Sequence, residues 1–183
     1  MKIIETPISD LLIIQPKVFE DSRGYFFESY NKKKFEDYGL NYNFVQDNES
    51  LSEFGVVRGL HYQLNPYAQS KLVRVISGRV FDVAVDLRKN SATYGRWFGV
   101  ELTAENKLQF LIPKGFAHGF VVLSEKALFQ YKCDEFYKPD YERGIRFNDP
   151  SINIDWKIEE KDIHLSGKDS ELPLFFNSEN NFI

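Results

Sequence analysis

The chain reads as a succession of short runs in which apolar and polar positions alternate, broken by clusters of turn residues. Alternation with period two predicts strands, because successive side chains on an extended backbone point to opposite faces. The candidate strands are LLIIQP, GYFFESY, NFVQDNES, VVRGLHYQL, KLVRVI, RVFDVAVDLR, RWFGVELT, LQFLIP, HGFVVLS, ALFQYKCDEF and INIDW. Between them fall SGR, RKNSATYG, TAENK and NDPS, which carry the Gly, Asn, Asp, Ser and Pro of turns. Many short strands so spaced predict an all-β sandwich or barrel. In RVFDVAVDL, Phe81, Val83, Val85 and Leu87 share one parity and predict a core face. One helix is predicted over 31–38, NKKKFEDY, with Asn31 able to cap it and Gly39 to end it. Its lysines form a solvated face. The final NSENNFI is either a surface tail or a segment docked on a partner subunit.

Some polar residues break the pattern. Lys71 shares parity with Val73 and Val75, so it must be paired, reach solvent from the strand end, or line a pocket. Tyr131 shares a face with Phe129 and Cys133, where a structural tyrosine is the simplest reading. In RGLHYQ, Arg58 and His61 differ in parity. Both can face one pocket only across a bulge or at a strand end, and Gly59 between them permits that.

Composition narrows the class. The 183 residues suit one domain, expected to span 1–183. Seventeen Phe, ten Tyr and two Trp favour β architecture and offer flat surfaces for stacking a base or sugar. The net charge of −4 argues against general nucleic-acid binding but allows a local cationic pocket. A single cysteine, Cys133, rules out an intrachain disulfide and fits a reducing compartment. Glu5, Asp10, Glu20 and Asp21 interrupt the first thirty residues, so no secretory signal is visible. No apolar run approaches the roughly 20 residues of a membrane helix. The expectation is a soluble, cytoplasmic protein with no membrane partner.

The segment IPKGFAHGF places Pro113 and Gly115 before His118. Pro-x-Gly-x-x-His recurs in cupin jelly rolls, where the histidine often binds a metal. A metal site needs about three converging ligands. Here His61 is followed by Tyr-Gln, and His61, His118 and His164 are the only histidines. The expectation is therefore no metal, with the barrel histidines in acid–base or binding roles. A histidine base, a lysine to stabilise an oxyanion and a tyrosine acid suit proton abstraction beside a carbonyl. Base and acid on opposite faces of one carbon would give epimerisation. No G-x-S-x-G, P-loop or dinucleotide fingerprint is present.

DSRGYFFESY, FVQDNES, VVRGLHYQ, KLVRVISGRVFDVAVDLRKNSATYGRW, IPKGFAHGF, YKCDEFYKPDYERGIRFNDP and LSGKDSELP occur in order over roughly residues 3–174. With them the chain resembles the dTDP-4-dehydrorhamnose 3,5-epimerases. The resemblance implies a cupin-type jelly-roll barrel with a few short peripheral helices, no cofactor or metal, and a homodimer that exchanges an N-terminal strand. It implies His61 as the base, Tyr131 as the acid, Asp169 as the carboxylate that orients His61, and Lys71 as the group that stabilises the enolate. It further implies Arg23, Glu28, Gln46, Asp47, Asn48, Arg58, His118, Glu142 and Lys168 as substrate ligands, with Tyr137 stacking on the thymine. Arg23 and Glu28 would come from the partner subunit. His164 lies outside these motifs and is expected to be structural or exposed. An epimerase acting on C3 or C5 alone, a non-catalytic nucleotide-sugar binding module and a 3,4-ketoisomerase are the competing readings.

Overall fold

The alternating runs pair into two antiparallel sheets, and the computed structural model describes all residues, 1–183. In chain order the first strands are β1 (Lys2–Glu5), β2 (Leu12–Gln15), β3 (Phe19–Asp21) and β4 (Gly24–Phe26), followed by helix α1 (Lys32–Asp37). The central strands are β5 (Gln46–Glu53), β6 (Val57–Gln63), β7 (Lys71–Ser77), β8 (Arg79–Asp86) and β9 (Trp97–Thr103). Then come β10 (Gln109–Ile112), β11 (Phe116–Val122), β12 (Lys126–Cys133), β13 (Glu142–Gly144) and the single-turn helix α2 (Gly167–Ser170). One sheet has the order β1-β2-β10-β7-β12-β5 and the other β13-β6-β11-β8-β9. This is the all-β architecture with short peripheral helices that the pattern predicts, and its two facing sheets make the jelly roll.

The interior between the sheets is filled by Val73, Val75, Phe110, Phe129, Val80, Ala84, Leu102, Phe116 and Phe120. Phe81, Val83, Val85 and Leu87 are buried as expected, but on the outer face of their sheet. The C-terminal third covers that face with Ile145, Phe147, Ile152, Trp156, Phe175 and Phe182. Strand β8 is therefore buried on both faces, and its other parity, Val80, Asp82 and Ala84, looks into the barrel. Parity identifies a buried face but not which layer covers it.

Helix α1 forms as expected. Asn31 Oδ1 accepts from the Lys34 amide at 3.2 Å, only Phe35 is buried, and Gly39 takes a left-handed φ of 78° after the last turn. INIDW does not form a strand. Asn153 sits at φ 51°, its amide donates to the Asp149 carbonyl, and Trp156 Nε1 donates to the Phe147 carbonyl at 2.8 Å. The segment is thus a turn that plugs two apolar side chains into the outer layer. The strand within GYFFESY covers only Gly24–Phe26, which pairs with β3 and with no other strand. The four-residue strand Lys2–Glu5, too short to stand out in the pattern, pairs with β2 of the same chain.

The tail docks on its own chain. Phe182 is 5% exposed, Asn180 Nδ2 donates to the Leu87 carbonyl at 2.6 Å, and Asn181 and Asn65 bond reciprocally. Phe182→Ala should cost about 3 kcal/mol, the lower end for a buried aromatic truncation. Urea unfolding checks it, and a loss below about 1 kcal/mol would show that the tail is dispensable. No helix is long and apolar enough to cross a membrane.

Candidate active site

A cavity of about 560 Å³ opens between the two sheets. That volume suits a small molecule. Its walls are Asn48 and Ser50 of β5, Arg58 and His61 of β6, Lys71 of β7, His118 and Phe120 of β11, and Phe129 and Tyr131 of β12. A strap over residues 164–169 closes one side. The strap joins the barrel through the Val57 amide, which donates to the His164 carbonyl, and the His164 amide, which donates to the Gly55 carbonyl, both at 2.9 Å.

The strap delivers Asp169 to His61. Ser166 caps α2, its Oγ accepting from the Asp169 amide at 3.1 Å, and this fixes the aspartate on the inner side of the turn. Asp169 Oδ1 lies 2.6 Å from His61 Nε2. A carboxylate only accepts, so Nε2–H is the donor and Nδ1 is the ring nitrogen free to take a proton. Burial pushes the Asp169 carboxyl up, but the His61 hydrogen bond and charge, with Ser166 and the Gly59 amide, hold it below the usual carboxylate range.

Arg58 and His61 do share the cavity, by the bulge that their parity requires. His61 stands opposite His118 and Arg58 opposite Phe120, so three steps on β6 match two on β11. Gly59 lies in this extra step at φ 126°, and the peptide that follows it is cis. A Cβ there would lie 2.6 Å from Gly119 Cα and 2.7 Å from the His118 carbonyl oxygen. Arg58 is then aimed by its Nε–H, which donates to Ser52 Oγ at 3.0 Å.

On the opposite wall, Lys71 Nζ lies 5.9 Å from the Tyr131 ring centroid. Burial lowers the Lys71 ammonium, with Cys133, Asp82 and Glu142 pulling the other way. Burial, aided by Cys133, raises the Tyr131 phenol to about 12, so it keeps its proton at neutral pH. The His118 ring bonds through Nε2 to both oxygens of Asp82, each at 3.0 Å.

Lys168 also lines the cavity, and Gln46, Tyr137 and Glu142 are linked to it and to Asn48 by a chain of hydrogen bonds. Gln46 Nε2 donates to Asn48 Oδ1 at 3.0 Å, and Gln46 Oε1 accepts from the Tyr137 amide at 3.1 Å. Tyr137 Oη donates to Glu142 Oε2 at 2.6 Å, and Lys168 Nζ donates to the same oxygen. Three others are not brought together with them. Asp47 points to the other side of β5, where Lys132 holds it at 2.8 Å. Arg23 is 88% exposed in the β3–β4 hairpin and pairs with Asp21. Glu28 is bonded to Asn31 and Lys34 beside α1. The structure adds residues that the sequence reading missed: Ser52 behind Arg58, and Asp82 behind His118. Asp82 left a trace, a carboxylate in the middle of an apolar strand. His164 is exposed as expected, yet it also borders the cavity.

A β-barrel whose cavity holds a His–Asp pair, an ammonium and a protonated phenol defines an acid–base enzyme on a cupin-type jelly roll. A family model described as dTDP-4-dehydrorhamnose 3,5-epimerase matches residues 5–177. The chain is 59% identical over 160 residues to the dTDP-4-dehydrorhamnose 3,5-epimerase of Shigella flexneri, covering 87% of this chain and 88% of that one. The crystal structure of the Elizabethkingia anophelis enzyme of that name superposes with a TM-score of 0.93 at 60% identity, covering 97% of each chain. The dTDP-6-deoxy-D-glucose-3,5-epimerase of Legionella pneumophila, solved with dTDP-4-keto-L-rhamnose, superposes at 0.92 and 51% identity, covering 96% of this chain and 93% of that one. The chain belongs to the dTDP-4-dehydrorhamnose 3,5-epimerase family.

Proposed function

We propose that the protein epimerises dTDP-4-dehydro-6-deoxy-D-glucose at C3 and C5, giving dTDP-4-dehydro-L-rhamnose for dTDP-L-rhamnose synthesis. The observation that carries this reading is the pair His61–Asp169 in one cavity with Tyr131 and Lys71. Both C3 and C5 are next to the C4 ketone, so each C–H is acidified by the same carbonyl. His61 Nδ1 removes the proton, and Asp169 holds the ring and stabilises the imidazolium that forms. The electron pair moves onto the ketone oxygen, where the Lys71 ammonium stabilises the enolate. Tyr131 returns a proton to the other face, which inverts the carbon. The acid suits this role because its phenol is kept protonated. Only protons move, so the chemistry calls for no redox cofactor, and with Lys71 supplying the positive charge at the enolate oxygen activity should survive exhaustive chelation.

Arg58 and Lys168 supply cations for the diphosphate. His118, Gln46, Asn48 and Glu142 supply polar contacts, with Tyr137 for the thymine. The β3–β4 hairpin, with Phe19 53%, Tyr25 56% and Phe26 67% exposed, belongs against a second copy in a homodimer, bringing Arg23 and Glu28 to the partner's cavity. A solution mass of one chain by light scattering would reject the dimer.

In deuterium oxide, the product should carry deuterium at both C3 and C5 and have the L-rhamno configuration by NMR. Label at one carbon only would make the protein a mono-epimerase. No label at either carbon, with the sugar bound, would make it a binding module.

A further inference from the structure

Strand β8 carries two buried carboxylates: Asp86, at its end, is held by Arg88, Ser91 and Thr93, while Asp82 lies in the barrel among Val80 and Ala84. Asp82 is fully buried, and both its oxygens contact the same atom, His118 Nε2, at 3.0 Å. An unpaired charge in such a place would be strongly destabilising. The surroundings explain what holds it. Burial pushes the Asp82 carboxyl up, the His118 charge and hydrogen bond and then the Lys71 charge pull it back down, and no ion pair forms between Asp82 and Lys71. The ionisable groups around Lys71 and Asp82 in this cavity are Arg58 and His61 on β6, His118 on β11, Tyr131 and Cys133 on β12, Glu142 on β13, and Lys168 and Asp169 on α2, with Glu49 on β5 and His164 at its edge. Asp169 is committed to His61, and Glu142 to Tyr137 and Lys168. Tyr131 and Cys133 are held neutral by burial, at about 12 and about 11. Asp82 is therefore the one carboxylate facing Lys71 that no other cation matches.

We propose that Asp82 is a positioning residue for the reaction. Its carboxylate fixes the His118 tautomer, with Nε2–H turned to β8, and its negative charge favours Lys71 as an ammonium under the reacting ketone. The bond to Asp82 leaves His118 Nδ1 as a lone-pair acceptor for a sugar hydroxyl. A protonated His118 would instead put a second cation beside Lys71. Burial is what keeps the ring neutral, lowering the His118 imidazolium against the Asp82 charge and hydrogen bond, which favour it. Asp82 touches no substrate; it acts through the two residues that would.

This assignment rests on the epimerase reading only for its kinetic consequence, and its structural half can be tested without substrate. In ¹⁵N-correlated NMR of the wild-type protein, His118 should be the neutral Nε2–H tautomer from pH 6 to 9. A protonated ring or an Nδ1–H tautomer across that range would overturn the proposal. In Asp82→Asn, the Lys71 ammonium of the substrate-free protein should titrate about one pH unit lower, the size expected for loss of a nearby opposite charge. The alkaline limb of kcat should move down with it, with KM nearly unchanged. If Asp82→Asn lowers kcat without moving the Lys71 titration or the alkaline limb, Asp82 is merely structural. Should that variant fail to fold, the wild-type tautomer still decides. If the Lys71 titration moves but no epimerisation is seen even in the wild type, the epimerase reading fails while the positioning role stands.

Discussion

His61→Ala should lower kcat for epimerisation by about 10⁴-fold, the upper range for loss of a general base. It should also stop deuterium entering C3 and C5. The magnitude follows from how the site divides its work. Both cavity rings have a carboxylate on Nε2, but the His61 side chain is 28% exposed and that of His118 only 8%. His118 is committed to Asp82 on the same atom, and its low basicity in a buried site makes it a poor substitute. Binding should change much less, because Arg58, Lys168, Gln46, Tyr137 and Glu142 are untouched. Wild-type washing-in of deuterium by His61→Ala would remove His61 from the role of base.

The same substitution has a signature in stability. The depressed Asp169 carboxyl stabilises the fold above its unfolded pKa of about 3.9, and that stability is lost as pH falls through the lower folded value. Without His61, burial is opposed by only Ser166 and the Gly59 amide, so the folded pKa rises. The Asp169 share of the acid-side loss should therefore shrink in His61→Ala, whose stability falls less steeply than the wild type's in urea melts between pH 3 and 6.

Gly59→Ala should be nearly as damaging although the residue has no chemistry of its own. The φ of 126° disfavours any side chain, and the new Cβ would meet backbone at 2.6 and 2.7 Å. Backbone cannot swing away as a side chain can, so β6 must separate from β11. A loss of about 3 kcal/mol or more in stability is expected. The catalytic loss should exceed about 100-fold, because His61 and Arg58 are placed by this bulge and about 1 Å of displacement has that effect. Gly167→Ala is the control: nothing lies within 4 Å of its would-be Cβ. It should leave stability within about 0.5 kcal/mol. If Gly59→Ala melts and turns over like the parent, the bulge does not place the site.

Much of this molecule is legible in its sequence. Alternation and turn residues define most strands, Asn31 and Gly39 bracket the one multi-turn helix, and the parity of Lys71 and Tyr131 points both at an apolar interior where they line the cavity. The conflict of parity between Arg58 and His61, with a glycine between, calls for the bulge that is found. These features are local: each depends on backbone geometry within a few residues. The tertiary structure decided what is not local. It put Phe81, Val83, Val85 and Leu87 under the C-terminal third instead of inside the barrel, because alternation cannot say which layer covers a face. It turned INIDW into a plugged turn, since a buried Trp156 satisfied by the Phe147 carbonyl outweighs a short β-like pattern. It joined His61 to an aspartate 108 residues away and His118 to Asp82, pairings set by sheet register and by the strap on the barrel's rim. And it laid the terminal segment on its own chain, because a phenylalanine finds its pocket there and two asparagines satisfy the backbone around it.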